Sequence, residues 1–324
     1  MSAAANDSPA RLIAIDWGTS NFRAFLVDRE SGKCLDSRRS EAGLRSLSSA
    51  EFPHYCAAQV GDWREEGGAA SGAKEEGGAA SGAKSVPIYL AGMVGSKRGW
   101  SEAPQLDLPV SATDLAAHVV AAPGVDNAWI VPGVKIVAAE HVDVMRGEEI
   151  QAFGALSLCA TREALCCLPG THSKWARLAD AQLVDFTTAM TGELYHAVRF
   201  HTLPGEPARE SAEFDAAAFD QGLEAAGHPA GILHALFEAR SRHLYAGLAS
   251  EQVGSYLSGV TIGSEVLSQR RIHPQAGEVI LVGSSTLNAL YRRAMTAVGF
   301  GVREIDSDQA TLAGLCALAE RHGH

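Results

Sequence analysis

The sequence predicts an α/β fold of two similar domains with a cleft between them, and three observations carry that expectation. Short apolar strand-like runs alternate with longer helical stretches along nearly the whole chain. Each half opens with three strand signals joined by glycine or polar turns, at residues 12–39 and again at 164–186, before the alternation sets in. The 324 residues, 46% of them hydrophobic, suit one large domain or two of ordinary size.

In the first half, the apolar run 12–16 stops at Asp16-Trp17-Gly18-Thr19, a strand running into a tight turn. Residues 21–28 and 33–39 follow as a second and third strand, then a helix over 49–63. A buried strand is expected at 86–91, after which Gly92 and Gly95 open a loop. Ser111, with Asp114 three positions on, caps a helix over 111–121 in a variant of the capping box. A strand at 128–131 and a helix over 148–160 complete this half, so the first domain covers 11–158 and the second 159–324. The second half repeats the opening with strands at 164–168, 174–178 and 183–186, the first ending at Pro169-Gly170-Thr171. Helices are expected over 192–199, 213–226, 231–244 and 251–271. A strand at 278–282 stops at Gly283-Ser284-Ser285, and a helix over 286–298, a strand at 302–305 and a helix over 309–322 end the chain.

Composition excludes several function classes. A net charge of −11, with no basic block, argues against nucleic acid and anionic membranes as partners, while leaving room for a local anion pocket. No apolar run approaches the ~20 residues of a membrane span. Residues 1–10 lack the pattern of a signal peptide and read as a disordered tail. The cysteines at 34, 56, 159, 166, 167 and 316 form no zinc spacing and read as reduced thiols of a cytoplasmic protein. Residues 65–74 and 75–84 repeat EEGGAASGAK without a change, too polar and glycine-rich to fold, and are expected as a flexible surface insertion.

Three strand-ending turns carry the chemistry. At Asp16-Trp17-Gly18-Thr19-Ser20, a carboxylate at a strand end can hold Mg²⁺, directly or through water, and the backbone N–H groups and hydroxyls of Gly18, Thr19 and Ser20 can cradle phosphate oxygens. Gly170-Thr171-His172 repeats the strand, Gly-Thr turn, strand pattern, with His172 a phosphate contact or a packing residue. At Gly283-Ser284 the missing or small side chains would let a nucleotide approach the backbone at a helix start. Each turn alone is a weak signal; the three together, in this order, point to a single bound ATP.

In its motifs the chain resembles the 2-dehydro-3-deoxygalactonokinase family, in the sugar-kinase branch of the actin-like ATPase superfamily. The resembling stretches are IAIDWGTSNFRAF at 13–25, AGMVGS from Ala91 with Gly99-Trp100 and Ala103-Pro104, VMRGEE at 144–149, LPGTHSKW at 168–175 and MTGEL at 190–194. Gln105 stands where an aromatic residue is expected, and the decapeptide repeat has no counterpart. The resemblance implies two ribonuclease-H-like domains flanking an ATP cleft, ATP and Mg²⁺ as cofactors, and a 2-keto-3-deoxy sugar acid phosphorylated at its terminal hydroxyl. It gives Gly170 and Thr171 the same phosphate role as the first turn, and it puts the general base at the helix start holding Glu148 and Glu149. Glu148 is preferred because Ile150 and Phe153 mark the buried face opposite it, with Glu149 close behind. The substrate carboxylate then needs a cation, for which Arg146 and Arg23 are candidates, and Ser96 belongs with the substrate-binding loop. Trp100 is either a pocket wall or a packing residue, and Lys97 and Arg98 read as solvated.

Three rival readings share the fold: a kinase for a neutral sugar, an actin-like or chaperone ATPase without a small acceptor, and a sugar sensor. The sensor usually carries a DNA-binding helix pair, for which the residues ahead of Leu12 are too few. The assembly is left open, with a homodimer as one form.

Overall fold

The computed structural model of the chain describes residues 10–65, 85–210 and 213–324. The tail ahead of residue 10 and residues 66–84 of the repeat, both singled out above, lie outside the described residues. The elements are β1 (Arg11–Trp17), β2 (Phe22–Asp28), β3 (Cys34–Ser40), α1 (Phe52–Glu65), β4 (Ile88–Ala91), β5 (Gln105–Asp107), β6 (Val110–Ser111), α2 (Ala112–Ala117), β7 (Val120–Ala121), β8 (Ala128–Ile130), β9 (Gly133–Val137), β10 (Val142–Met145) and α3 (Glu148–Leu158). Then come β11 (Ala164–Leu168), β12 (Ser173–Ala179), β13 (Gln182–Ala189), α4 (Thr191–His201), α5 (Ala216–Ala225), α6 (Ile232–Tyr245), α7 (Ser250–Ile272), β14 (Glu278–Gly283), α8 (Ser285–Ala297), β15 (Gly301–Asp306) and α9 (Ser307–His322).

The chain divides into two units, the first taking residues up to Glu163, Leu178–Asp185 and Ser307–His324, the second Ala164–Arg177 and Phe186–Asp306. In unit 1 the main sheet runs β3-β2-β1-β4-β8-β7. Strands β1, β2 and β3 pair antiparallel as a meander, while β1, β4 and β8 are parallel. Strand β1 is buried on both faces, as its unbroken apolar run requires, whereas β3 is polar and largely exposed at the sheet edge. Helix α1 lays Phe52, Cys56, Val60 and Trp63 onto Ile13, Ile15, Trp17 and Phe22 to make the core of this unit.

Unit 2 repeats the plan, with neighbouring strands in the order β13-β12-β11-β14-β15 and parallel pairing of β11 with β14 and of β14 with β15. Its core joins Leu165, Cys167, Trp175, Val279 and Leu281 of the sheet to Phe219, Ile262 and Tyr291 of the helices. In both units the first three strands of the sequence lie side by side and the fourth joins the first in parallel.

Two local expectations change. The helix expected over 111–121 stops at Ala117, and Val120–Ala121 pair with β8 instead. The capping box is present, with Asp114 accepting from Ser111 N at 2.8 Å, but two β-branched residues after His118 favour an extended chain. Strands β9 and β10, unassigned in the sequence, form a small sheet with β5. Its signal is hidden because Val142 and Val144 face outward, 70% and 52% exposed, while Met145 faces in. No helix among the described residues is long and apolar enough to cross a membrane.

Candidate active site

The hairpin register of unit 1 fixes the surroundings of Asp16. Asp16 lies opposite Arg23 on β2, and Arg23 lies opposite Arg39 on β3. Side chains of directly opposed residues share one sheet face, so the carboxylate and the two guanidinium groups form a ladder. Arg23 Nη2 donates to Asp16, and its Nη1 donates to Asp308 at 2.8 Å; Arg39 pairs with Asp308 as well. Asp308, in the first turn of α9, thus separates two arginines that would otherwise face each other with like charge. Burial alone would weaken the Arg23 charge, but Asp16 and Asp308 outweigh it and hold the group above its ordinary value. Arg23, a sequence candidate for the substrate carboxylate, is committed to these two partners.

Beyond Trp17 the chain turns tightly, closed by Gly18 N donating to Asn21 O at 2.9 Å. A methyl group on Gly18 would meet only Asn21 O, at 3.8 Å, so the backbone faces open space. Residues 43–45 brace the turn, with Leu44 N and Arg45 N donating to Gly18 O and Thr19 O at 3.1 Å each. Thr19, Ser20, Asn21, Glu41, Arg45 and Ser46 line an open depression of about 350 Å³.

The start of α3 reaches this turn through two glycines. Gly92, which follows the end of β4, has φ +96°, and a side chain there would lie 2.8 Å from Trp17 O and 3.2 Å from Asp16 Oδ1. Gly147, the residue before α3, has φ +108° and packs so closely on Gly92 that an added Cβ would sit 3.0 Å from its Cα. Both backbones occupy the left-handed region that glycine tolerates. Glu148 and Glu149 therefore begin a helix whose start packs on Gly92, which in turn packs on Asp16 and Trp17.

The two glutamates differ in environment. Glu149 is 1% exposed, and both its oxygens accept from Gly147 N at 2.8 Å. Burial, reinforced by the Glu148 charge, pushes its carboxyl up to about 8, against the opposing pull of Gly147 N–H and Arg146. Glu148 is half-buried. The raised value has a consequence for stability. Between the ordinary carboxyl value of 4.5 and about 8, the folded state keeps a proton that the unfolded chain has released. Stability is expected to fall as pH rises through that window, by up to ~5 kcal/mol at ~1.4 kcal/mol per unit, and to level off above it. Denaturant melts of the wild type and Glu149→Gln across this range check it; the variant should show a flatter profile.

Behind the loop, Arg146 lies in a slot that two glycines leave open. A Cβ on Gly95 would sit 2.9 Å from its Nη1, and one on Gly133 would sit 3.3 Å from its Cζ. Nη2 donates to Ala103 O at 2.8 Å, while Nη1 is buried without a hydrogen-bond partner, as is Ser96 Oγ. Burial lowers the Arg146 value, opposed by Glu149 and Glu102. Leaving such groups unmatched costs about 1–3 kcal/mol each, which an anionic ligand on Arg146 would offset. Trp100 takes a different place. It is 7% exposed, packs on Trp17 and Phe52, and donates Nε1–H to Pro123 O at 3.0 Å. It is a core residue with its polar group satisfied.

In unit 2, the turn between β11 and β12 presents Gly170, where an added Cβ would find nothing within 4 Å. Thr171 and His172 are exposed beside it, and His172 Nε2 lies 2.8 Å from Glu193 Oε2. Gly283 faces inward instead, since a Cβ there would lie 2.7 Å from Asn288 Oδ1. Ser284 is exposed and caps α8, its Oγ accepting from Leu287 N at 3.4 Å. Sequence reasoning passed over Asp308, Arg39 and Glu265. For Glu265 a signal existed: a lone acid in the apolar stretch Val260–Leu267 of α7, whose helical surroundings are buried.

Two sheets of matching strand order, each with an open glycine turn after its first strand, define the ribonuclease-H-like fold of the actin-like ATPases, a class that includes sugar phosphotransferases. The family profile of the 2-keto-3-deoxy-galactonokinases matches residues 16–318, and the chain belongs to that family. It is 38% identical to the 2-dehydro-3-deoxygalactonokinase of Escherichia coli (strain K12) over 96% of this chain and 98% of that one. A crystal structure from Sinorhizobium meliloti, named as a 2-dehydro-3-deoxygalactonokinase protein, matches with TM-score 0.83 and 34% identity over 95% of this chain and 98% of its own. Component A of the Acidaminococcus fermentans (R)-2-hydroxyglutaryl-CoA dehydratase matches with TM-score 0.51 at 11% identity, over 96% of this chain and 98% of its own, and shares the fold alone.

Proposed function

We propose that the chain transfers the terminal phosphate of ATP to the terminal hydroxyl of 2-dehydro-3-deoxy-D-galactonate, giving the 6-phosphate and ADP. Family membership supports the reaction, and the stacking of Asp16, Gly92 and Gly147 supports the site, because it sets an acid-bearing helix start behind a glycine turn. Phosphoryl transfer asks a protein mainly for position and charge. Gly18, Thr19 and Ser20 offer N–H and hydroxyl donors to phosphate oxygens, and Gly170 and Thr171 do so in unit 2. The open space over both glycines fits such a group. Ser284, exposed at the start of α8, serves the nucleoside end, with the buried Gly283 behind it. Mg²⁺ on the phosphates would neutralise their charge when bound, and Asp16, 15% exposed, is the carboxylate to face it. Glu148 takes the proton from the acceptor hydroxyl, while Glu149 holds Gly147 N–H and so the helix start. Six free thiols support a cytoplasmic setting.

Arg146 and Ser96 take the substrate carboxylate, the feature that separates a sugar acid from a neutral sugar. A coupled assay is expected to favour the keto-acid over its neutral aldose analogue, and Arg146→Lys to lower kcat/KM for the acid by about 10–100-fold. Equal rates on both substrates in the wild type would refute the carboxylate assignment.

A further inference from the structure

One buried group in unit 2 is used by none of the steps above. Glu265, on α7, is 6% exposed and gathers three donors from three other elements. Trp175 Nε1 on β12 donates to its Oε1 at 2.7 Å, Tyr291 OH on α8 donates to its Oε2 at 2.7 Å, and Thr191 Oγ1 at the start of α4 donates to the same Oε2. Ser173 Oγ lies 2.8 Å from Tyr291 OH, whose own proton goes to Glu265, so Ser173 is the donor of that pair.

These partners are the residues that frame the Gly170-Thr171 turn. Ser173 opens β12 immediately after the turn, and Trp175, two residues on, shares its sheet face. On the other side, Thr191 is followed by Gly192, whose backbone is pressed against the turn: a side chain on Gly192 would collide with Gly170 O and stand 2.9 Å from Thr171 Cα. Glu193 N then donates to Thr171 O at 3.0 Å. Tyr291 extends the grip to α8, the helix that begins beside Gly283 and Ser284. The Thr191 hydroxyl, in the first turn of α4, donates to Glu265 and does not cap the helix, and Met190 before it makes no side-chain cap.

We propose that Glu265 is a positioning residue that holds the Gly170-Thr171 turn, through Thr191 and the start of β12, in register with the start of α8 for nucleotide binding. This rests on the reading of that turn as a phosphate-binding element. A carboxylate can accept all three donors at once, whereas an amide turns an N–H₂ toward at least one of them. Small displacements of groups that position a reacting phosphate cost up to ~100-fold in rate.

Steady-state kinetics with both substrates varied test it in Glu265→Gln, Thr191→Val, Thr191→Ser and Gly170→Val. The expected result is a rise of about tenfold or more in the KM for ATP in Glu265→Gln and Thr191→Val, an unchanged KM for the sugar acid, and restoration by Thr191→Ser, which returns the hydroxyl. Thr191→Val and Thr191→Ser decide the matter if Glu265→Gln does not fold. A raised KM for ATP in Gly170→Val alone would overturn the positioning role and leave the phosphate turn standing. Equal losses toward both substrates would also overturn it, as the mark of a purely structural residue. No change in the KM for ATP in any of the four, Gly170→Val included, would overturn the reading of the turn itself.

Discussion

Glu148→Gln is expected to lower kcat by about 10²–10⁴-fold, the usual contribution of a general base, with little change in the melting temperature. Glu149→Gln is expected to keep turnover within a few-fold of wild type. The contrast comes from the start of α3. Glu149 is buried, its oxygens are occupied by Gly147 N–H, and a carboxyl pushed up to about 8 is largely neutral at pH 7. A glutamine reproduces that neutral acceptor. Glu148, half-buried on the neighbouring position, is the carboxylate to which the proposed mechanism gives the acceptor proton. Single-turnover rates for both variants separate chemistry from product release. Normal turnover in Glu148→Gln, or a severe loss confined to Glu149→Gln, would remove Glu148 from the role.

That contrast also shows where sequence reasoning stops. The helical period correctly puts Ile150 and Phe153 on the buried face, but it gives no warning that Glu149 is buried too. In the first turn of a helix, side chains fold back onto unpaired N–H groups, and periodicity does not encode that return. The strands that carry the glycine turns were legible because their apolar runs break sharply at Asp16 and at Pro169. The Asp16, Arg23, Arg39 and Asp308 ladder was not, because it depends on hairpin register and on a partner 285 residues from Arg23. Trp100 illustrates a third limit: loop position left a ligand wall and a packing role equally open, and the ring completes an aromatic cluster with Trp17 and Phe52. Local composition says little about which long-range contacts a residue joins.

The glycine turns give the sharpest separation of folding from function. Gly18→Val and Gly170→Val are each expected to fold normally and to lose at least about 10²-fold in kcat/KM, with a weaker grip on ATP. An added Cβ meets only Asn21 O at 3.8 Å in the first and nothing within 4 Å in the second, and neither backbone has a positive φ. Replacement should therefore change the melting temperature little, within the ~0.5 kcal/mol usual for surface positions away from special contacts. Phosphate oxygens held by backbone N–H groups must approach the Cα closely, so a branched side chain occupies the volume they need. Gly92→Ala is the counter-case: a positive φ and Trp17 O at 2.8 Å predict loss of fold and activity together. Calorimetric titration with a non-hydrolysable ATP analogue, alongside thermal melts, reads both quantities on the same samples. Unaltered nucleotide binding in both valine variants would show that neither turn approaches the phosphates.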